Sequence, residues 1–408
     1  MKTAGIIAEF NPFHNGHEHL ISEAKSKYGA DHCVIVMSGS FTQRGEPAWM
    51  YKYDRVKCAL ISGADVVLEL PVSYATAGAE AFAFGGVSIL HAIGITDILI
   101  FGTENDDITS FEKISEELLE PSEEYKEALN EGLKKGLSYP AARCAALPDH
   151  SDILSSPNNI LGIEYLKSLR ILGSEINPIA VKRMGNGYHD DTIMKYASAE
   201  AIRKEISQNN NIENIKGCVP DSVYDIMSDG YKKTYPLTPD DLTLIAAYTM
   251  LSSSFDELSS YQDVNPDIAN RLLKGFNINS DKADHPLTET ILSMKTKELT
   301  YTRLSRSILH SILRQKDMTR TPEKALIPCP YTRLLGFKES SSDLMHNMVK
   351  KTAIPIINKA ADADSALSEE ALNMFNATIR ADRLYDLLIK NKYGTCLTDS
   401  CRISPIIL

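Results

Sequence analysis

The chain has 408 residues, 43% of them hydrophobic, and this length suggests two or three domains, because a domain usually spans about 100–200 residues. Its formal net charge of -11 argues against a general basic coat for nucleic acid, although a local basic face is compatible with it. The N-terminal apolar run is broken by Glu9, and no apolar stretch approaches the roughly 20 residues of a membrane span, so we expect a soluble cytoplasmic protein with no membrane partner.

The first half of the chain alternates between strand and helix patterns. Buried strands are predicted at residues 3–9, 33–37, 65–70, 97–101 and 176–182, with helical patterns between them. This alternation predicts an α/β fold with a Rossmann-like parallel sheet, in which ligands gather at the carboxyl ends of the strands. A charged helical segment at about residues 104–151 is interpreted as an insertion. The polar run at residues 208–211 suggests that this first domain covers residues 1–210.

The second half has a different pattern. Helical periods dominate at residues 240–251, 267–275, 287–315 and 369–390. Residues 331–357 could form a small α/β piece. We therefore expect residues 211–408 to form a mostly α-helical domain.

A short segment after the first predicted strand carries the strongest chemical signal. Pro12 stiffens the turn, Gly16 permits close approach of a ligand, and His14 and His17 stand where helix amides favour anions. Two imidazoles there can donate hydrogen bonds to phosphate oxygens and stabilise charge during attack on phosphorus. The alternative is that one histidine caps the helix and the other lies on the surface. The spacing lacks the i, i+4 pair with an intervening Glu found in metalloprotease helices.

This segment resembles the HxGH signature of the nucleotidyltransferase and class I aminoacyl-tRNA synthetase superfamily. A second segment, from Ala197 to Arg203, resembles the ISSTxxR motif of the same superfamily, but Ala199 replaces one hydroxyl residue. Ser198 can cap its helix and Arg203 can face phosphate.

Over nearly its full length the chain resembles the bacterial tRNA(Met) cytidine acetate ligase family. The matching segments are residues 9–17, 37–47, 101–104, 156–162, 182–189, 301–304 and 331–337. The resemblance implies catalytic roles for His14 and His17. It also implies an ATP site formed by Ile7, Ala8, Glu9, Phe10, Asn11, Pro12, Phe13, His14, Asn15, Gly16, His17, Glu18, His19, Leu20, Gly102, one of Asn158 and Asn159, Arg183 and Met184.

Two further groups of cations complete the predicted sites. Arg44 and Lys52 are candidates for the acetate or phosphate end of the pocket, although a solvated loop would explain both residues equally well. The basic stretch from 291 to 333 is typical of a nucleic-acid contact, and we predict that Arg303, Arg306 and Arg333 bind tRNA. The alternative is a solvated amphipathic helix.

The resemblance implies an ATP-dependent ligase that converts acetate to acetyladenylate and acetylates N4 of the wobble cytidine of elongator tRNA(Met). Mg²⁺ is expected with the triphosphate, although no metal-ligand cluster is visible and the seven cysteines lack CxxC spacing. One alternative is an adenylyltransferase that acts on a small phosphorylated acceptor. Another is a non-catalytic RNA-binding regulator that retains an ATP pocket.

Overall fold

The computed structural model describes residues 1–184, 195–276 and 285–408. Gly185 and residues 187–189 of the matching segment lie outside these ranges. In the described ranges, the strands are β1 (Thr3–Ala8), β2 (His32–Ser38), β3 (Val66–Leu70), β4 (Ile98–Thr103), β5 (Asn177–Lys182), β6 (Thr332–Phe337), β7 (Ile356–Ile357) and β8 (Ile406–Ile407).

Helices surround this sheet on both sides. In the first half they are α1 (Asn15–Ser26), α2 (Lys52–Ile61), α3 (Val72–Ala75), α4 (Ala79–Ala92), α5 (Ile108–Leu119), α6 (Glu123–Lys134), α7 (Tyr139–Ala146), α8 (Ser151–Leu154), α9 (Pro157–Ile171) and α10 (Ala199–Asn209). In the second half they are α11 (Asp221–Gly230), α12 (Thr243–Ser252), α13 (Phe255–Ser259), α14 (Pro266–Gly275), α15 (Leu287–Met294), α16 (Tyr301–Ile312), α17 (Ser342–Lys351), α18 (Ala363–Ala366) and α19 (Glu369–Tyr393). None of the helices in the described ranges is long and apolar enough to cross a membrane.

The strands form one sheet in the order β5-β4-β1-β2-β3-β6-β7, with β8 paired to β6. Strands β1 to β5 run parallel, which confirms the predicted Rossmann-like α/β fold. Apolar residues continue through β2 and β3 because helices bury both faces of these strands. Chain order reverses at β1, between β2 and β4. Such a reversal opens a crevice at the carboxyl ends of the strands, and the histidine segment follows β1 there.

The second half departs from the predicted helical pattern in two places. The single helix predicted at residues 287–315 is wrong, because α15 ends at Met294 and Thr300 caps a separate α16 by accepting a hydrogen bond from Arg303 N at 3.3 Å. Strand β6 also pairs antiparallel with β3. The sheet therefore extends past residue 210, and the division into two domains stays a prediction.

A buried ion-pair cluster connects the two halves behind the sheet edge. Lys52 Nζ lies 2.7 Å from Glu69 Oε1 and 2.5 Å from Asp382 Oδ2. Asp382 Oδ1 also accepts a hydrogen bond from Ser40 Oγ at 2.7 Å. Burial opposes the charge of Lys52, but the carboxylates of Asp382 and Glu69 outweigh it and raise the Lys52 pKa. Lys52 therefore stabilises the interior, and its predicted place at the acetate or phosphate end of the pocket is wrong.

Candidate active site

A cavity of about 640 Å³ lies at the carboxyl ends of β1, β4 and β5, beside the first turns of α1, α10 and α16. Cavities of this size accommodate small molecules and cofactors. The predicted ATP-site residues that line it are Ile7, Ala8, Glu9, Phe10, Asn11, His14, Gly16, His17, His19, Leu20, Gly102, Asn158, Arg183 and Met184. The cavity wall does not include Pro12, Phe13, Asn15, Glu18 or Asn159.

His14 and His17 form a reciprocal cap at the start of α1. His14 Nδ1 accepts a hydrogen bond from Gly16 N at 3.0 Å, and His17 Nδ1 accepts one from His14 N at 3.2 Å. Their rings stack with centroids 3.7 Å apart. A backbone N–H can only donate, so each Nδ1 presents its lone pair and each neutral ring carries its proton on Nε2. The cap therefore fixes the tautomer that leaves both Nε2–H groups free to donate to a ligand.

The surroundings of both rings keep them uncharged. Burial and the nearby cations Arg183 and Arg203 lower the pKa of His14 to about 3. Burial, His14 and Arg183 likewise lower the pKa of His17. At neutral pH the two histidines are therefore neutral hydrogen-bond donors, and Arg183 and Arg203 supply the positive charge of the site.

Neighbouring segments hold the loop between β1 and α1. Asn11 Oδ1 accepts a hydrogen bond from Trp49 N at 2.6 Å, and Arg203 Nη1 donates to Asn11 O at 2.5 Å. The Asn15 side chain donates to the carbonyl oxygens of Lys195 and Gly217. Asn15 thus supports the loop from outside the cavity, while Arg203 both braces the loop and lines the cavity.

The two neighbouring asparagines have different positions. Asn159 is only 2% exposed, and its Oδ1 accepts a hydrogen bond from Glu104 N at 2.9 Å. Asn158 lines the cavity and donates to Glu104 Oε1 at 2.6 Å. Asn159 therefore fixes the end of β4, which leaves Asn158 as the candidate for contact with ATP.

Gly102 and Arg183 adjoin each other in the cavity wall. A Cβ atom at Gly102 would lie 3.4 Å from Arg183 Cγ, which is ordinary van der Waals contact. Arg183 itself is exposed at the edge of the cavity. Its guanidinium can therefore reach an anionic ligand without first breaking a buried contact.

The far end of the cavity contains residues that the sequence analysis did not assign to it. Gln43, Glu200, Tyr301, Thr302 and Arg306 line this end together with Arg44. Arg44 Nη2 lies 2.9 Å from Glu200 Oε2. The family resemblance at residues 301–304 was the one sequence feature that could have indicated this part of the site. The basic stretch that contains it was instead interpreted as a tRNA contact.

Tight packing places Arg306 at this far end. Gly45 has φ +78°, and a Cβ atom there would lie 2.4 Å from Arg306 N, so the loop and α16 touch through their backbones. Asp263 Oδ2 accepts a hydrogen bond from Arg306 Nε at 3.0 Å. Arg303, by contrast, is exposed. Of this pair, only Arg303 stands on the open surface expected of a tRNA contact.

The third predicted tRNA contact, Arg333, is wrong. Its side chain is buried, it donates to the Ser400 carbonyl oxygen, and it lies 4.0 Å from Asp382 Oδ2. A buried guanidinium with these partners cannot neutralise the phosphates of an RNA backbone. Arg333 instead belongs to the buried ion-pair cluster around Lys52.

The described side chains around the cavity do not form a metal cage. Among residues 1–184, 195–276 and 285–408, no group of three or more His, Cys, Asp or Glu side chains is placed to hold a metal ion. The donor set therefore does not fit a resident metal in the described part of the chain.

Comparison with known proteins gives consistent matches. The family model described as HIGH Nucleotidyl Transferase matches residues 1–399. The chain is 37% identical over 404 residues to the tRNA(Met) cytidine acetate ligase of Acetivibrio thermocellus, and 36% identical over 404 residues to that of Clostridium tetani. Each match covers 96% of both proteins.

Solved structures agree with these matches. A crystal structure of Thermotoga maritima TmcAL bound with alpha-thio ATP is 28% identical and has a TM-score of 0.87, with 100% of both chains covered. The apo form of the same protein has a TM-score of 0.90 at the same identity and coverage.

Proposed function

This chain belongs to the HIGH nucleotidyl transferases and, within them, to the tRNA(Met) cytidine acetate ligase family, and we propose that it acetylates N4 of the wobble cytidine of elongator tRNA(Met). The reaction has two steps. Acetate first attacks the α-phosphate of ATP to give acetyladenylate and pyrophosphate. The cytidine amine then takes the acetyl group and releases AMP.

The observation that carries this proposal is the pair of Nε2–H donors of His14 and His17 at the start of α1. Negative charge builds on the α-phosphate oxygens as acetate attacks. Neutral donors already held in position stabilise that charge without first having to reorganise. Arg183 and Arg203 would contribute positive charge to the same phosphates.

Binding of the nucleotide follows from the same geometry. Gly102, Asn158 and Met184 would surround the nucleoside end, and the first turn of α1 would hold the phosphates through its amides and the helix dipole. The related T. maritima protein was crystallised with alpha-thio ATP, which supports ATP as the nucleotide.

The far end of the cavity is suited to bind acetate and to receive the tRNA. Arg44 and Arg306 line it and would attract the acetate carboxylate, and an exposed surface including Arg303 would contact the tRNA backbone. Mg²⁺ would arrive on the triphosphate oxygens, and no step assigned to the protein depends on it. We expect the enzyme to act in the cytoplasm, because its substrates tRNA and ATP occur there together.

One assay tests the proposal. Purified protein is incubated with ATP, labelled acetate and total tRNA, and the nucleosides are analysed for labelled N4-acetylcytidine. We expect label in that nucleoside and AMP in equal amount. Acetylation from acetyl-CoA without ATP, or release of ADP instead of AMP, would contradict the acetyladenylate mechanism.

A further inference from the structure

The second step of the proposed reaction needs a group that accepts a proton. The N4 lone pair attacks the carbonyl carbon of acetyladenylate, and the bond from that carbon to the phosphate oxygen breaks with its electrons going to AMP. The nitrogen must lose one proton for the amide to form. A side chain positioned to take that proton accelerates such a step by about 10²–10⁴-fold.

Neither histidine of the motif is available for this task. The Nδ1 lone pairs of His14 and His17 already accept hydrogen bonds from Gly16 N and His14 N. Their Nε2 atoms carry the ring protons and can only donate. Each ring therefore has no free lone pair to offer the substrate.

Among the residues that the structure describes, two carboxylates line the cavity, and they differ in their partners. Glu200 is paired with Arg44 at 2.9 Å, and its side chain is 47% exposed. Glu9 lies at the carboxyl end of β1, five positions before His14 and beside the far end of the cavity. Its Oε1 accepts a hydrogen bond from Gln43 N at 2.7 Å, while Oε2 accepts none from the residues that the structure describes.

We propose that Glu9 is the general base that removes the proton from the cytidine N4 amine during acetyl transfer. This inference rests on the proposed function. Glu9 Oε1 anchors the carboxylate to the loop that carries Gln43, and Oε2 takes the proton and later returns it to water. The products are N4-acetylcytidine, AMP and one proton.

The surroundings of Glu9 favour a base stronger than an ordinary carboxylate. Burial raises its pKa, and this effect exceeds the opposing effects of the Gln43 N–H and of nearby arginines. Within the described ranges, the charged and titratable groups that face Glu9 from the elements packed around it are Arg44, Glu46, Arg55, Tyr165 and Arg203.

Glu9→Gln separates basicity from support of the loop. The amide oxygen of glutamine can still accept the Gln43 N–H, so the anchor is kept while the proton acceptor is lost. Two rates are measured for each protein: acetate-dependent ATP–pyrophosphate exchange without tRNA, and single-turnover acetylation of an elongator tRNA(Met) transcript from synthetic acetyladenylate. Glu9→Gln should reduce the rate of transfer by a factor at least about tenfold larger than the factor by which it reduces the rate of exchange.

Glu46→Gln is the matched control. Glu46 interacts electrostatically with Glu9, Arg44 and Arg203, and its own pKa is raised by burial, but it is not part of the cavity wall. We expect this variant to keep the wild-type ratio of transfer to exchange. His19→Gln tests the remaining titratable ring of the histidine segment that lines the cavity. Loss of transfer in His19→Gln with normal transfer in Glu9→Gln would overturn the proposal.

The wild-type pH profile provides a test that does not depend on any variant folding. Transfer from acetyladenylate by the wild-type protein should rise with pH as Glu9 deprotonates. A flat wild-type profile between about pH 4.5 and 8 would contradict a carboxylate base with a raised pKa. Failure of the proposed function is distinguishable, because the wild-type protein would then show no acetate-dependent exchange at all.

Discussion

Lys52 and Asp382 form an ion pair at 2.5 Å that joins α2 to α19, across most of the length of the chain. Both side chains are no more than 2% exposed. Lys52 has a second carboxylate partner, Glu69, whereas Asp382 also accepts the Ser40 hydroxyl. Replacing Lys52 and replacing Asp382 should therefore change the stability of the protein by different amounts.

We expect Lys52→Met to destabilise the protein more than Asp382→Asn. The first change leaves two buried carboxylates with only the more distant Arg333, 4.0 Å from Asp382 Oδ2, and breaking a buried pair costs about 3–5 kcal/mol. The second change leaves Lys52 paired with Glu69, and the amide oxygen that it introduces can still accept from Ser40. Urea denaturation midpoints of the two variants test the order. Equal midpoints would mean that the cluster is not stabilised through Lys52.

His14→Ala and His17→Ala should each reduce ATP–pyrophosphate exchange by about 10²-fold or more, since each removes a donor to the transition state. Both side chains also cap α1, so folding must be measured by circular dichroism. His14→Gln and His17→Gln retain an amide donor and should lose less than the alanine variants. Near-normal exchange in either alanine variant would remove that histidine from the phosphate site.

Exchange should show no acid limb near the ordinary histidine pKa. Burial lowers the pKa of His14 to about 3 and also lowers that of His17, so both stay neutral as the pH falls from about 7.5 to 5.5. Stability should behave differently, because the unfolded chain takes up protons below about pH 6.5 and the folded rings do not. The stability of the wild-type protein relative to His14→Gln, measured by the difference between their denaturation midpoints, should therefore decrease as the pH falls over this range, while the ATP–pyrophosphate exchange rate of folded enzyme stays constant.

The two arginines near the start of α16 should have separable effects. Arg303→Ala should weaken tRNA binding and reduce its salt dependence while exchange is retained, because this exposed side chain would contact phosphates. Arg306→Ala should reduce the rate of exchange, since Arg306 lines the cavity and its hydrogen bond to Asp263 fixes its position there. Binding titrations at two salt concentrations and exchange assays test both. Equal loss of exchange in the two variants would contradict the assignment.

The sequence predicted the parallel part of the sheet because its signal is local. Each of β1 to β5 is a short apolar run bounded by helical patterns. The histidine segment was equally recognisable, since its function depends on a strand, a turn and a helix that are adjacent in sequence. Even its reciprocal cap uses residues only two and three positions apart.

The errors concern side chains whose environment comes from distant segments. Arg333 belongs to a basic stretch, but pairing of β6 with β3 and the Ser400 carbonyl oxygen place it in the interior. Arg306 belongs to the same stretch, and its position against Gly45 and in the cavity wall was not indicated by the sequence, while its predicted tRNA contact stays a prediction. Periodicity shows which face of a helix is polar and does not show what that face meets.

The position of β6 has a consequence for synthesis of the chain on the ribosome. Until Thr332–Phe337 leaves the exit tunnel, β3 lacks its outer neighbour and exposes unpaired backbone groups at the sheet edge. The wall of the cavity is also incomplete until Arg306 has been made. A nascent chain that ends near residue 210 would thus display a bare edge strand and an unfinished cavity, and chaperone contact should persist until the last quarter has been translated.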